Sequence, residues 1–177
     1  GIQKMRKVID QLYPRLEQVS HIVSSATGCE VTIKDYPEIL KYDSEYQEKA
    51  KAVVAKVVDP IEIINLQGTL VNSKRVAVHT PCSMQHGQNI HSQPLELLSK
   101  TDNDIMEIPQ GHLCCGSAGT YNILQSEIAT KLLKDKVKNI ESTNPEIIST
   151  GNIGCITQIS NGTNIPILHT IELLDWY

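Results

Sequence analysis

The sequence predicts an α/β fold with a mostly parallel sheet and flanking helices, built from two related units of which the first is truncated. Short runs rich in Ile and Val alternate with segments whose apolar residues recur near every 3.6 positions, the pattern of a layered α/β domain. Cysteines stand just beyond several of the predicted strands, where ligand sites gather in parallel sheets. One phrase also recurs. His21-Ile22-Val23-Ser24-Ser25-Ala26-Thr27-Gly28-Cys29 is echoed by the segment running from Glu146 through Ile147, Ile148 and Ser149 to Gly154-Cys155. Each copy follows a Lys-rich helix. Each precedes a matching phrase, Pro60-Ile61-Glu62-Ile63-Ile64 in one and Thr170-Ile171-Glu172-Leu173-Leu174 in the other.

In chain order, Met5, Val8, Ile9, Leu12 and Leu16 make Ile2–Gln18 an amphipathic helix, with Pro14 disturbing its last turn. A short strand over His21–Ala26 ends at Gly28-Cys29. A second helix is expected from Glu45 to Val58, stopped by Asp59-Pro60, and Ile61–Ile64 starts a further short one. Gln67 to Ser73 reads as a polar connection. Arg75–His79 is a clear strand halted at Thr80-Pro81-Cys82. Pro94–Ser99 suggests a short helix, Ile105–Ile108 a strand, and Cys114-Cys115-Gly116-Ser117-Ala118-Gly119 a Gly-rich loop. Ser126 caps a helix to Ile140, with Ile128, Leu132, Val137 and Ile140 inward and the lysines outward. Glu146–Thr150 and Ile165–Leu168 are the last strands, and Ile171–Trp176 a final helical turn.

Composition limits the function. The 177 residues carry a formal charge of −4, with 40% apolar residues, no Phe and one Trp, so any core is aliphatic. The acidic balance and the absence of a long Lys/Arg run give no reason to expect nucleic acid. No stretch approaches the roughly 18 apolar residues that span a bilayer, and no secretory signal is visible. The expected location is the cytoplasm, or the periphery of the inner face of the cytoplasmic membrane. Gly1 opens directly on a helix, so a preceding portion of the protein is expected upstream.

Five cysteines without secretory features argue for a metal site rather than a disulfide framework. For Cys29 alone, a small buried hydrophobe is as good a reading as a ligand. The adjacent pair Cys114-Cys115 is different. On a regular strand the two would point to opposite faces, so both can reach one centre only if the backbone bends, which Gly116 permits. Soft thiolates select zinc, copper(I) or iron–sulfur clusters. Cys82, Cys114, Cys115 and Cys155 supply four, separated by 32 and 40 positions rather than gathered in C-x2-C knuckles or a ferredoxin run. Both a cluster and zinc remain open at this point.

The set Cys82, His112-Leu113-Cys114-Cys115-Gly116-Ser117-Ala118-Gly119 and Asn152-Ile153-Gly154-Cys155 resembles the cysteine-rich CCG module of heterodisulfide reductases and their relatives. His79-Thr80-Pro81-Cys82-Ser83-Met84-Gln85-His86-Gly87-Gln88 and Thr27-Gly28-Cys29-Glu30 resemble more closely the glycolate oxidase iron–sulfur subunits. The resemblance implies that residues 1–70 are the C-terminal remainder of a first CCG module and residues 71–177 a complete second one. Cys82, Cys114, Cys115 and Cys155 would hold an iron–sulfur cluster of the [4Fe–4S] type, with zinc as the alternative. Cys29 would be the last metal ligand of the first module. It further implies an oxidoreductase complex of glycolate dehydrogenase type. There, FAD on a separate hydroxy-acid oxidase subunit performs the oxidation, and this chain, with no catalytic residue of its own, passes electrons towards quinone.

One departure matters: the family pattern ends in C-x-x-C, and Gln158 stands where the fifth cysteine would be. A heterodisulfide-reductase-like catalyst, a lactate-utilisation CCG protein and a zinc-bearing scaffold are the rival readings. Among the histidines near these motifs (His79, His86, His91, His112), His86 is the best placed for a direct role, in a polar loop after Cys82. No P-loop, dinucleotide fingerprint or nucleophile elbow is present.

Overall fold

A computed structural model describes residues 1–66 and 73–174, which form two compact units, Gly1–Ile63 and Ile64–Tyr177. The expected polar connection from Gln67 to Ser73, apart from Ser73 itself, and the end of the expected turn at Trp176 lie outside the described residues.

The first unit opens with α1 (Ile2–Leu12), whose apolar stripe buries Ile9 completely. Pro14 ends the α-helix as expected, by turning the chain into a 3-10 segment over Tyr13–Gln18. β1 (Ile22–Val23) is followed by α2 (Thr27–Lys34), α3 (Tyr36–Ile39), α4 (Gln47–Val54), β2 (Val57–Val58) and α5 (Pro60–Ile63). Ile9, Leu16, Tyr36, Leu40, Ala50, Val53 and Val57 make its core. The helix expected to reach Val58 stops four residues sooner. Val57 and Val58, β-branched and at least partly buried, pair in parallel with Ile22 and Val23 instead. The Lys56 ammonium, bonded to the carbonyls of Leu16 and Val19, fixes the chain at that change of direction.

The second unit is a four-stranded parallel sheet. Its elements are β3 (Arg75–His79), α6 (Cys82–Gly87), α7 (Gln93–Leu98), β4 (Asp104–Glu107), α8 (Tyr121–Leu124), α9 (Ser126–Glu141), β5 (Ile147–Thr150), α10 (Ile153–Ser160) and β6 (Ile167–His169), closed by a 3-10 turn at Glu172–Leu174. The strand order is β4-β3-β5-β6, all parallel. Period-two alternation divides the sheet's residues between two cores. Val76, Val78 and Ile147 pack with Leu98 and Leu173 on one face. Ala77 and Ile148 pack with Ile108, Val137, Ile140 and Ile159 on the other, together with Cys115 and Cys155. Glu146 pins the entry to the sheet: one carboxylate oxygen accepts from the Arg75 N–H at 3.1 Å, the other from Lys74 Nζ at 3.2 Å.

After β4 the chain returns past β3 to form β5. The gap beyond the carboxyl ends of β3 and β5 is therefore the switch point of the sheet, where parallel α/β folds place their ligands.

Candidate metal centre

Cys82 and Cys155 stand close after the strands that flank that switch point. Cys82 is the first residue of α6, two residues after β3 is complete. Cys155 is the third residue of α10, which follows β5 just as closely. Both thiols therefore sit in the first turn of a helix, where unpaired N–H groups favour negative charge. Asn152 caps α10, its Oδ1 accepting from the Gly154 N–H at 2.8 Å, while its Nδ2 donates to Ser83 Oγ at 3.1 Å. One side chain thus couples the two helix starts.

Cys114 and Cys115 come from the loop after β4. The bend they require is made at Gly116, whose φ is +92°. A Cβ there would lie 2.5 Å from the Ala129 carbonyl oxygen in α9, so glycine is needed for space as well as for conformation. The bend turns the Gly116 N–H onto Cys114 Sγ at 3.3 Å and leaves Cys115 buried against Cys155, with the two sulfurs 3.2 Å apart. The cysteine pair does depart from strand geometry so that both thiols face one place.

The sulfurs act on one another electrically. Hydrogen bonds from Cys115 and then Cys82 hold the Cys114 thiol far below its ordinary range, with the Gly116 N–H adding to them. The bond from Cys115 lowers Cys155 to about 5 against the cost of burial, and His79 pulls the same way. Cys82, beside Cys114, and Cys115, between Cys114 and Cys155, hold their protons more tightly and are pushed up. Such an alternation is expected of four thiols in one pocket, because like charges oppose full ionisation. Deprotonated together, four such sulfurs could hold a soft cation.

Two further side chains reach this place. His79 ends β3 on the Ala77 face, only 2% exposed, and neither ring nitrogen has a hydrogen-bond partner. One ligand atom from each of His79, Cys115 and Cys155 lies within 4.8 Å of the other two. Lys136, expected outward with the other lysines of α9, is instead fully buried. Its Nζ donates to the Gly111 carbonyl at 3.1 Å. Burial pushes its pKa down, and the charges of Cys115, Cys155, Cys114 and Cys82 oppose that. Ile128, expected inward, is 47% exposed near the start of the same helix.

The remaining candidates separate. His86 lies on α6 rather than in a loop and is exposed. His91 and His112 border a cleft of about 750 Å³ beside the ends of β3 and β4, with Thr80, Gln85 and Glu107. Gln158 is buried and accepts a hydrogen bond from Asn122 Nδ2 at 3.0 Å. Cys29, in the first unit, is exposed, which removes the reading of it as a buried hydrophobe. It is the third residue of α2, the same place that Cys155 holds in α10.

Fold and site together define a parallel α/β module with a cluster of four cysteine thiols at its switch point. Residues 76–160 match the family described as CCG, cysteine-rich domain. The chain is 33% identical over 180 residues to the glycolate oxidase iron-sulfur subunit of Escherichia coli K12, an alignment covering 99% of this chain. The chain spans 44% of that protein's length. Lactate utilization protein A of Bacillus subtilis 168 is 23% identical over 185 residues, which cover 98% of this chain and 78% of that protein. The protein of the same name from Oceanobacillus iheyensis is 26% identical over 187 residues, which cover 98% and 76%.

Proposed function

We propose that this chain is an iron–sulfur electron-transfer module of a complex that oxidises a 2-hydroxy acid. The observation that carries it is the meeting of Cys82, Cys114, Cys115 and Cys155 from three strand ends, with Cys115 and Cys155 in sulfur contact. When bound, a [4Fe–4S] cluster would supply one-electron chemistry. The protein's part is to hold the four sulfurs, bury two of them, and set the charge around them through Lys136 and the two helix starts.

The relatives support the substrate class. Glycolate and lactate, after which these relatives are named, are both 2-hydroxy acids. On this reading FAD sits on a partner hydroxy-acid oxidase subunit, and quinone accepts the electrons. Among the described residues no helix is long and apolar enough to cross a membrane. That accords with a subunit in the cytoplasm or peripheral on the inner membrane face. Heterodisulfide-type catalysis has less support, because Gln158 occupies the place of a fifth cysteine and its amide is engaged by Asn122. Two parallel strand pairs, β1 with β2 and β5 with β6, each have a helix directly after the first strand that carries a cysteine as its third residue. This favours residues 1–70 as the remainder of a first CCG module and Cys29 as its last ligand.

Anaerobic reconstitution followed by iron, sulfide and EPR analysis tests the proposal. The expected result is stoichiometric iron and sulfide with a signal on reduction. Zinc alone would sink it in favour of a structural scaffold. That second reading has its own support, since the close approach of Cys115, Cys155 and His79 also suits ligands sharing one tetrahedral ion.

A further inference from the structure

We propose that His79 is a nitrogen donor to the metal centre, taking one ligand position beside Cys115 and Cys155 so that the set mixes sulfur and nitrogen. The inference rests on the metal-centre reading above and exchanges one of its four sulfur ligands for the imidazole. An imidazole carries two nitrogens that each require a partner when buried. In His79 both are enclosed and neither makes a well-formed hydrogen bond, and the polar group that faces the ring is the Cys155 thiol. Its register partner on the neighbouring strand, Thr150, leaves its own buried hydroxyl unpartnered too. The strand ends therefore present unsatisfied polar atoms where a ligand would satisfy them, rather than a closed network.

Direction agrees with this. Alternation along β3 places His79 on the same sheet face as Ala77, the face on which Cys115 and Cys155 are buried. A ligand atom of the ring lies within 4.8 Å of both sulfurs, a spacing that one metal can bridge. Histidine in place of an all-thiolate shell also has a chemical consequence. A neutral imidazole brings less negative charge to the metal than a thiolate and so raises the reduction potential of an iron–sulfur centre.

The test uses the full chain, loaded anaerobically with iron and sulfide, reduced, and carrying 15N-labelled histidine. Pulsed EPR is expected to show a strongly coupled histidine nitrogen, lost in His79→Ala. His79→Cys should retain a cluster whose midpoint potential is lower than that of the unmodified chain. A reduced cluster without strong histidine coupling overturns the assignment and leaves the electron-transfer reading standing. If the chain takes up only zinc, X-ray absorption decides. A mixed nitrogen and sulfur shell supports His79 while the electron-transfer reading fails, and an all-sulfur shell overturns both. A chain that binds neither metal also overturns both. The main signature is read on the unmodified chain, so a variant that fails to fold does not affect it.

Discussion

Asn152 Nδ2 donates to Ser83 Oγ across 3.1 Å, joining the helix that begins at Cys82 to the helix that carries Cys155. The same side chain caps α10 through its oxygen, so two functions can be separated by substitution. Asn152→Asp keeps the acceptor for Gly154 but loses the donation to Ser83. It should cost little stability and weaken metal retention. Asn152→Ala should lose both, with about 1 kcal/mol of stability gone with the cap. Thermal denaturation, together with metal release to a chelator, distinguishes the two variants.

Gly116→Ala should be far more severe. The added carbon meets the Ala129 carbonyl oxygen and the backbone must hold a φ of +92°. Strain and overpacking together should cost on the order of 3 kcal/mol or more. The expected outcome is a large drop in melting temperature and loss of metal binding. A variant with unchanged Tm would show that the cysteine bend does not need glycine.

Lys136→Met should separate stability from redox tuning. The variant loses the bond to the Gly111 carbonyl but also removes a buried charge, so apoprotein stability should change by only about 1 kcal/mol in either direction. The potential of the loaded centre should fall, because a cation favours the more negative reduced state. A shift of about 59 mV would be tenfold in a one-electron equilibrium. A redox titration with no shift would remove Lys136 from the electrostatics of the site.

Acid should loosen the second unit through Glu146. The Arg75 N–H and then Lys74 hold its carboxyl below the ordinary value of 4.5. A lowered carboxyl contributes stability that is present above the ordinary value and disappears as pH falls through the lowered one. Glu146→Gln should therefore be less stable than the wild type at neutral pH, and the two should converge on acidification. Urea unfolding at a series of pH values checks this.

Much of the scaffold is legible in the sequence because its signals are local. Arg75–His79 alternates within a run bounded by Thr80-Pro81, and the strand forms there without displacement. Cys82 and Cys155 are legible for the same reason, each lying close after a strand end, whereas Cys114 and Cys115 arrive from a longer loop after β4. What escapes local reading is which face looks at what. His79 carries a usable signal, since it shares the parity of Ala77, but the value of that face depends on Cys115 and Cys155, far along the chain. Lys136 lies one α-helical turn from Ile140 and next to Val137, on the buried stripe of α9, yet its charge suggests solvent. Val57 and Val58 sit in a helical period and become a strand only because Ile22 and Val23 offer a parallel edge.

The wide spacing of the cysteines has a consequence for how the protein is made. Cys82 and the Cys114-Cys115 pair leave the ribosome before the segment bearing Cys155, and the crossover that seats β5 beside β3 must follow. Until then these three thiols have no pocket in which to keep an ion. On the proposed function, metal delivery belongs after synthesis and tertiary assembly, and the loaded fraction of a preparation reports how many molecules have finished folding.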